Sequence, residues 1–207
     1  NMFEDKKNEL IEYGRMAGDK NYTPGISGNL SARCGDMVVI TSSGVANGYL
    51  TENDFAVVDF DGNAIEGEKP SSERMLHIEF YKKRPEMNYV MHVHSPYLTA
   101  FASAGIALDD KISPEIIYCF EKIPLAEHSI PGSKELVEKT SKYFENYDVV
   151  LMANHGVIIA GKDIKDAFYK LDLCENYAKT VICAKLLGGA KILPEEEVEK
   201  IYLLRQK

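Results

Sequence analysis

Between Phe3 and about Lys20, apolar side chains recur at Leu10, Ile11, Tyr13, Met16 and Ala17 with charged residues between them. Spacings of three and four predict an amphipathic helix, which Thr23, Pro24 and Gly25 stop. The period then changes to two. Leu30, Ala32 and Cys34 alternate with polar positions and predict a strand, joined through Gly35 and Asp36 to a second over Met37 to Ile40 as a tight hairpin. That strand runs into the small polar loop Thr41 to Gly44. Thr51 to Asp54 reads as a one-turn helix with a threonine cap, Phe55 to Phe60 as a strand, and Asn63 to Glu66 as its partner across an Asp61-Gly62 turn. After the breaker Gly67 to Pro70, Ser71 or Ser72 can cap a helix running to about Lys83, which puts Glu73 in its first turn.

In the second half, Tyr89 to His94 predicts a strand, and Pro96 to about Ala104 a helix with proline in its first turn. Pro114 to Phe120 fits a short helix or a strand equally. Ile123 to Ala126 reads as a strand, and Ser133 caps a helix to about Asn146. Val149 to Ala153 and Val157 to Ala160 form a strand pair around Asn154, His155 and Gly156. A long helix starts at Asp163 and ends at about Leu187, before Gly188 and Gly189. Pro194 opens a last amphipathic helix carrying Val198, Ile201 and Leu204. Strands and helices interleave, with hairpins among the strands, so the expected architecture is a mixed sheet with helices packed over it. There is no internal repeat, low-complexity tract or linker, and 207 residues suit one well-buried domain.

Composition narrows the function classes. Hydrophobic residues at 45% and charged residues at 27% are those of a globular chain rather than a disordered one. No run of about 18 apolar residues occurs, so no membrane span is expected. The polar start, Asn1 to Lys7, lacks an apolar signal core and predicts a cytoplasmic location. A net charge of −8 without a Lys/Arg cluster disfavours nonspecific nucleic-acid binding but leaves a small anionic substrate open. Cys34, Cys119, Cys174 and Cys183 form no CxxC pair, which argues against a zinc ribbon or redox dithiol. Three of them are expected to be buried free thiols in apolar surroundings.

The chemistry concentrates elsewhere. Two residues apart on a strand, His92 and His94 project to one face. Two imidazoles are half of a catalytic metal site, which usually takes three protein ligands and keeps a position for water or substrate. His155 stands where the apolar run from Val149 ends against Gly156, and Glu73 offers a carboxylate at a helix mouth. Three loops share one composition: Ser27, Gly28, Asn29; Ser42, Ser43, Gly44; and Ser71, Ser72. Glycine admits close backbone approach, and hydroxyl, amide and N–H groups donate to phosphate oxygens. None of the three is a Walker loop or a dinucleotide fingerprint.

Taken together, the runs Ser27 to Ser31 (SGNLS), Thr41 to Gly44 (TSSG), Pro70 to Glu73 (PSSE), His92 to His94 (HVH) and Asn154 to Gly156 (NHG) occur in an order that resembles the class II aldolase and adducin head family, nearest to its L-fuculose-1-phosphate aldolases. The resemblance implies a three-layer α/β/α sandwich with a mixed, mostly antiparallel central sheet, the whole chain forming a single domain. It implies a zinc ion held by His92, His94 and His155, with Glu73 beside it as a metal ligand in the substrate-free state and as the catalytic acid and base. It also implies a phosphate site made by Gly28, Asn29, Ser43, Gly44, Ser71 and Ser72, and a cyclic homotetramer with sites at subunit interfaces. The implied reaction splits a ketose 1-phosphate into dihydroxyacetone phosphate and a short aldehyde such as L-lactaldehyde.

Relatives on the same scaffold define the alternatives. Pentulose-phosphate 4-epimerases carry aspartate at the Glu73 position, so glutamate favours an aldolase. A methylthioribulose-1-phosphate dehydratase would keep the metal and a glutamate, and aldolases of 5-deoxypentose phosphates would look nearly the same. Adducin heads have the fold without the metal site, which the retained histidines argue against. Fuculose members use a neighbouring subunit's tyrosine as proton donor, in a region where this chain has Tyr118, and a carboxy-terminal tyrosine assists in some relatives, a role for which Tyr202 is the candidate. His77, one helical turn past Glu73, is read as a helix-packing residue rather than as one that faces the metal, and His128 is left without a role.

Overall fold

The structure is a computed structural model that describes residues 1–206. Helix α1 (Met2–Asp19) starts under the cap of Asn1, whose side chain accepts from the Phe3 N–H, and buries Leu10, Gly14 and Ala17. Strands β1 (Asn29–Cys34), β2 (Met37–Thr41), β3 (Phe55–Asp59) and β4 (Ala64–Gly67) follow as an antiparallel meander. After α2 (Arg74–Lys83), β5 (Tyr89–Val93) returns to pair antiparallel with the other edge of β1. The remaining elements are α3 (Pro96–Ala104), α4 (Pro114–Phe120), β6 (Leu125–Ala126), α5 (Lys134–Ser141), β7 (Val149–Met152), β8 (Gly156–Gly161), α6 (Ile164–Leu186) and α7 (Glu195–Arg205). The sheet order is β4-β3-β2-β1-β5-β8-β7-β6, antiparallel throughout except for the β6–β7 pair. Among the described residues no helix is long and apolar enough to cross a membrane.

Both faces of this sheet are covered, which is why β5, β7 and β8 read as near-continuous apolar runs. Every residue of β5 and β8 is buried. One face, with Leu30, Ala32, Met91 and Val93, packs against α1, α3 and α6 through Leu10, Leu98, Phe101, Phe168 and Leu171. The other, with Ile40, Val58, Val90 and Ile158, packs under α2 and α5 through Leu76, Phe80 and Leu136, and Phe80 stacks on Phe144 with ring centres 3.9 Å apart. The result is the three-layer sandwich with a mostly antiparallel sheet.

Several local expectations are corrected. Thr51 to Asp54 is a turn, because the Asp54 carboxylate accepts from both the N–H and hydroxyl of Thr51 and so replaces a helical bond that one isolated turn sustains poorly. The helix after Ser133 ends at Ser141 instead of Asn146: Tyr143 and Phe144 donate three residues back, to Thr140 and Ser141, as Phe144 turns in under Phe80. The strand over Ile123 to Ala126 shrinks to Leu125–Ala126, since Ile123 pairs separately with Leu108 and Pro124 has no N–H to give. Pro114–Phe120 resolves as a helix, capped by Ser113. In α7 only Val198 is buried, while Leu204 is exposed. Two cysteines, Cys34 and Cys174, are buried, not three; Cys119 and Cys183 face solvent.

One buried acid ties the helical layer to the site. Ser95, the cap residue of α3, makes no side-chain capping bond; instead Glu175 of α6 accepts from the backbone N–H of Tyr97 at 3.0 Å and of Leu98 at 2.8 Å. An acidic group at a helix amino terminus is favoured by the dipole and satisfies donors that have no partner within the helix. These residues come directly after His94, so Glu175 anchors the exit of β5. Glu175→Ala leaves those buried donors unpaired at a cost of about 1–3 kcal/mol. For a chain of this size the thermal midpoint is expected to fall by roughly 2–4 °C per kcal/mol, read by calorimetry.

Candidate metal and anion site

The ends of β1 and β5, the cap of α2 and the β7–β8 turn meet at one place. Asn29 and His92 are direct cross-strand partners and point to the face beneath α2. His94 follows immediately after β5. His155 sits in the short turn between β7 and β8, next to Asn154, whose φ of 60° allows the chain to reverse. Gly156 is required beside it: a Cβ there would lie 2.6 Å from the Val93 carbonyl oxygen and 3.1 Å from the His94 ring. Glu73 is the cap residue of α2 with no capping bond from its own side chain, rather than a first-turn residue as expected. The Ser71 hydroxyl accepts the Glu73 N–H instead, at 3.2 Å, which frees the carboxylate to turn toward the histidines.

The three imidazoles converge. His92 Nε2 lies 3.2 Å from His155 Nε2 and 3.2 Å from His94 Nε2, and the ligand atoms of all three fall within 4.8 Å of one another. Glu73 Oε2 is 3.2 Å from His92 Nε2, and Glu73 Oε1 is 3.1 Å from His155 Nε2. His92 Nδ1 donates to the Val157 carbonyl at 2.9 Å, which leaves the Nε2 lone pair facing the cluster. In a tetrahedron the edge is about 1.63 times the bond length, so the 3.2 Å edges from His92 to His155 and His94 fit ligand bonds of about 2 Å, those of zinc to imidazole. Glu73 Oε1 is buried and receives no hydrogen bond. A nitrogen-rich set with one carboxylate and an orphaned oxygen fits a divalent ion of the zinc type.

The electrostatics agree. Burial by itself would raise the Glu73 carboxyl, but the adjacent His92 and His155 imidazoles outweigh it and hold the group far below the usual carboxylate range. Burial disfavours charge on His92, yet the neighbouring Glu73 carboxylate more than compensates and holds the ring above its ordinary value. Burial, with the charge of His92, lowers His94 to about 4, and that ring is neutral at pH 7.

The three serine and glycine loops lie together beside this cluster, with Thr41 as their hub. Its hydroxyl accepts the Leu30 N–H at 3.1 Å and its carbonyl accepts the Ser71 N–H at 3.2 Å, while Ser42 pairs with Pro70. Gly28, at φ 79°, rests against β5, where a Cβ would stand 2.5 Å from the His92 carbonyl oxygen. Ser43, Gly44 and Ser72 are exposed, whereas Asn29 and Ser71 are buried. Asn47 was not singled out by any sequence signal: its side-chain amide donates to the carbonyls of Ser27 and Gly28 at 3.1 and 2.9 Å and fixes the first loop.

Other candidates stand apart. His77 is fully buried, but in place of simple packing it hydrogen-bonds Asn29 and Ser31. The Glu73-to-His77 spacing of one helical turn was the available signal. His128 Nδ1 donates to the Ala153 carbonyl at 3.3 Å at the rim. Tyr118 is half exposed on α4, and Tyr202 lies on α7 with the Lys111 ammonium 5.8 Å from its ring centre.

Comparison with known proteins matches this arrangement. Residues 8–182 fit the family described as the class II aldolase and adducin N-terminal domain. The chain is 38% identical over 178 residues to an L-fuculose phosphate aldolase of Methanocaldococcus jannaschii, covering 86% of this chain and 96% of the relative. It is 33% identical to a 3-oxo-tetronate 4-phosphate decarboxylase of Haemophilus influenzae, covering 95% of both. A solved L-fuculose 1-phosphate aldolase superposes with a TM-score of 0.89 at 32% identity, over 98% of this chain and 97% of that one. With its two-sided sheet, its histidine cluster and its serine and glycine loops, the chain belongs to the class II aldolase and adducin head family.

Proposed function

We propose that the chain is a zinc-dependent aldolase that cleaves a ketose 1-phosphate, L-fuculose 1-phosphate or a related deoxyketose phosphate, to dihydroxyacetone phosphate and a short aldehyde such as L-lactaldehyde. The observation that carries this reading is the meeting of three imidazoles and one buried carboxylate beside a cluster of hydroxyl- and glycine-rich loops. His92, His94 and His155 hold the metal, with Glu73 against it before substrate enters. When bound, zinc supplies Lewis-acid stabilisation of the negative charge that carbon–carbon cleavage leaves on the substrate.

The chain's own residues do the rest. Gly28, Asn29, Ser43, Gly44, Ser71 and Ser72 bind the phosphate and fix the orientation of the ketose, which lowers the entropic part of the barrier. As the C3–C4 bond breaks, the C4 hydroxyl passes its proton to the side chain that serves the aldehyde end and becomes the aldehyde, while the electron pair stays with C3. Glu73, once substrate has displaced it and it has taken a proton from solvent, delivers that proton to C3, and takes it away in the synthetic direction. The assembly is a homotetramer with sites at its interfaces, where a neighbouring subunit's side chain serves the aldehyde end. The location is cytoplasmic.

The decarboxylase relative favours a second reading on the same parts. Loss of carbon dioxide from a 3-oxo acid phosphate leaves the same kind of electron pair beside a carbonyl. One panel separates the two: fuculose, 5-deoxyribulose, ribulose and methylthioribulose phosphates and 3-oxo-tetronate 4-phosphate, scored for aldehyde, epimer, water and carbon dioxide. Aldehyde release from a deoxyketose phosphate is the expected result. Turnover confined to carbon dioxide or water loss overturns the aldolase.

A further inference from the structure

Under α2 lies a buried polar chain that ends on Glu73 and whose inner members, His77, Ser31 and Tyr81, have no part in the reaction just described. Glu73, His77 and Tyr81 are four residues apart and fall on one stripe of the helix, rising about 6 Å per step. Asn29 and Ser31 alternate on the facing side of β1, about 6.8 Å apart. The two repeats nearly match, so the strand residues interleave with the helix residues. Tyr81 Oη lies 2.7 Å from Ser31 Oγ, which lies 2.7 Å from His77 Nδ1. His77 Nε2 lies 2.5 Å from Asn29 Oδ1, and Asn29 Nδ2 donates to Glu73 Oε2 at 2.8 Å. His77, Tyr81 and Ser31 are wholly buried.

The direction of every bond in this chain follows from its last member. A carboxylate only accepts, so the amide nitrogen of Asn29 must face Glu73 and its oxygen must face His77. His77 Nε2 therefore carries a hydrogen. Burial lowers this ring to about 3, so it is neutral at pH 7, and Nδ1 must accept from the Ser31 hydroxyl. Ser31 Oγ, having donated, accepts from Tyr81. All four bonds point the same way, toward Glu73, and aligned bonds of this kind polarise one another.

We infer that His77 is a positioning residue for Glu73, acting through Asn29: its Nε2–H tautomer, set by Ser31 and Tyr81, locks the Asn29 amide so that its nitrogen holds one carboxylate oxygen in place. This rests on the proposed role of Glu73 in turnover. Asn29 also borders the anion loops, and an amide free to flip would present its oxygen to the carboxylate and to phosphate alike.

Two experiments test this. In the metal-free wild-type protein with 15N-labelled histidine, long-range 1H–15N correlation at pH 7 should show His77 as the neutral Nε2–H tautomer; the Nδ1–H form overturns the network. His77→Phe keeps the ring volume and removes both bonds. Its kcat should fall about 10- to 100-fold, the range for losing a supporting partner of a metal site, with metal per chain unchanged. Tyr81→Phe removes only the far hydroxyl and should lower kcat severalfold, less than His77→Phe. Wild-type kcat in both variants overturns the inference. If His77→Phe does not fold, Tyr81→Phe and the tautomer decide it. A wild-type chain that turns over no substrate of the panel refutes the aldolase reading, while the tautomer still reports on the network.

Discussion

His155→Ala is expected to strip the protein of metal and lower turnover by about a thousandfold or more, because a catalytic zinc site rests on three protein ligands. His155 reaches the cluster from the β7–β8 turn, while His92 and His94 come from the end of β5. Its loss leaves two imidazoles on one segment, with the buried Glu73 carboxylate deprived of one of its two imidazole neighbours. The fold should survive better than with His92→Ala, since His92 is completely enclosed within the sheet and bonded to Val157. The check is metal analysis after dialysis against a chelator, followed by zinc reconstitution. Wild-type protein should recover about one ion per chain together with its activity, and the variant neither. A variant that kept a full complement of metal would remove His155 from the ligand set.

Glu73→Gln should separate metal binding from proton transfer. Glutamine has nearly the same shape, and the three imidazoles remain, so the ion is retained. What disappears is a base able to move a proton at C3, and general acid–base catalysis of this kind contributes about 10²–10⁴-fold. The expected result is therefore a metal-replete protein with kcat reduced by about that factor. Cleavage within about threefold of wild type would reassign the proton transfer to another group. The substitution also introduces amide hydrogens beside the Asn29 amide, which now donates to Glu73 Oε2. The thermal midpoint should be measured in parallel so that any loss of packing is counted separately.

Much of the fold follows from short-range pattern. The α1 periodicity, the Gly35-Asp36 hairpin, proline at the start of α3 and the Asp163 cap of α6 are local signals, and each element formed where its signal lies. The departures have two origins, one local and one long-range. The Asp54 carboxylate competed for Thr51, and the turn after Ser141 was set by the stacking of Phe144 on Phe80, whose partner is far away in sequence.

The order of residues was sufficient for the chemical inventory: a same-face histidine pair, a third histidine at a strand end, an acid at a helix mouth and three loops of hydroxyls and glycine. A linear pattern contains no distances between segments, and so could not place His155 3.2 Å from His92 across 63 positions, nor gather the loops around Thr41. The placement of Glu73 as a cap residue depends on Ser71, and the orientation of its carboxylate depends on Asn29, His77 and the β1 register. These are contacts between a helix stripe and a strand face whose repeats match only once the two are stacked. Burial then gives them their strength, since removing water makes every unpaired polar atom costly and every bond between charged and polar groups stronger.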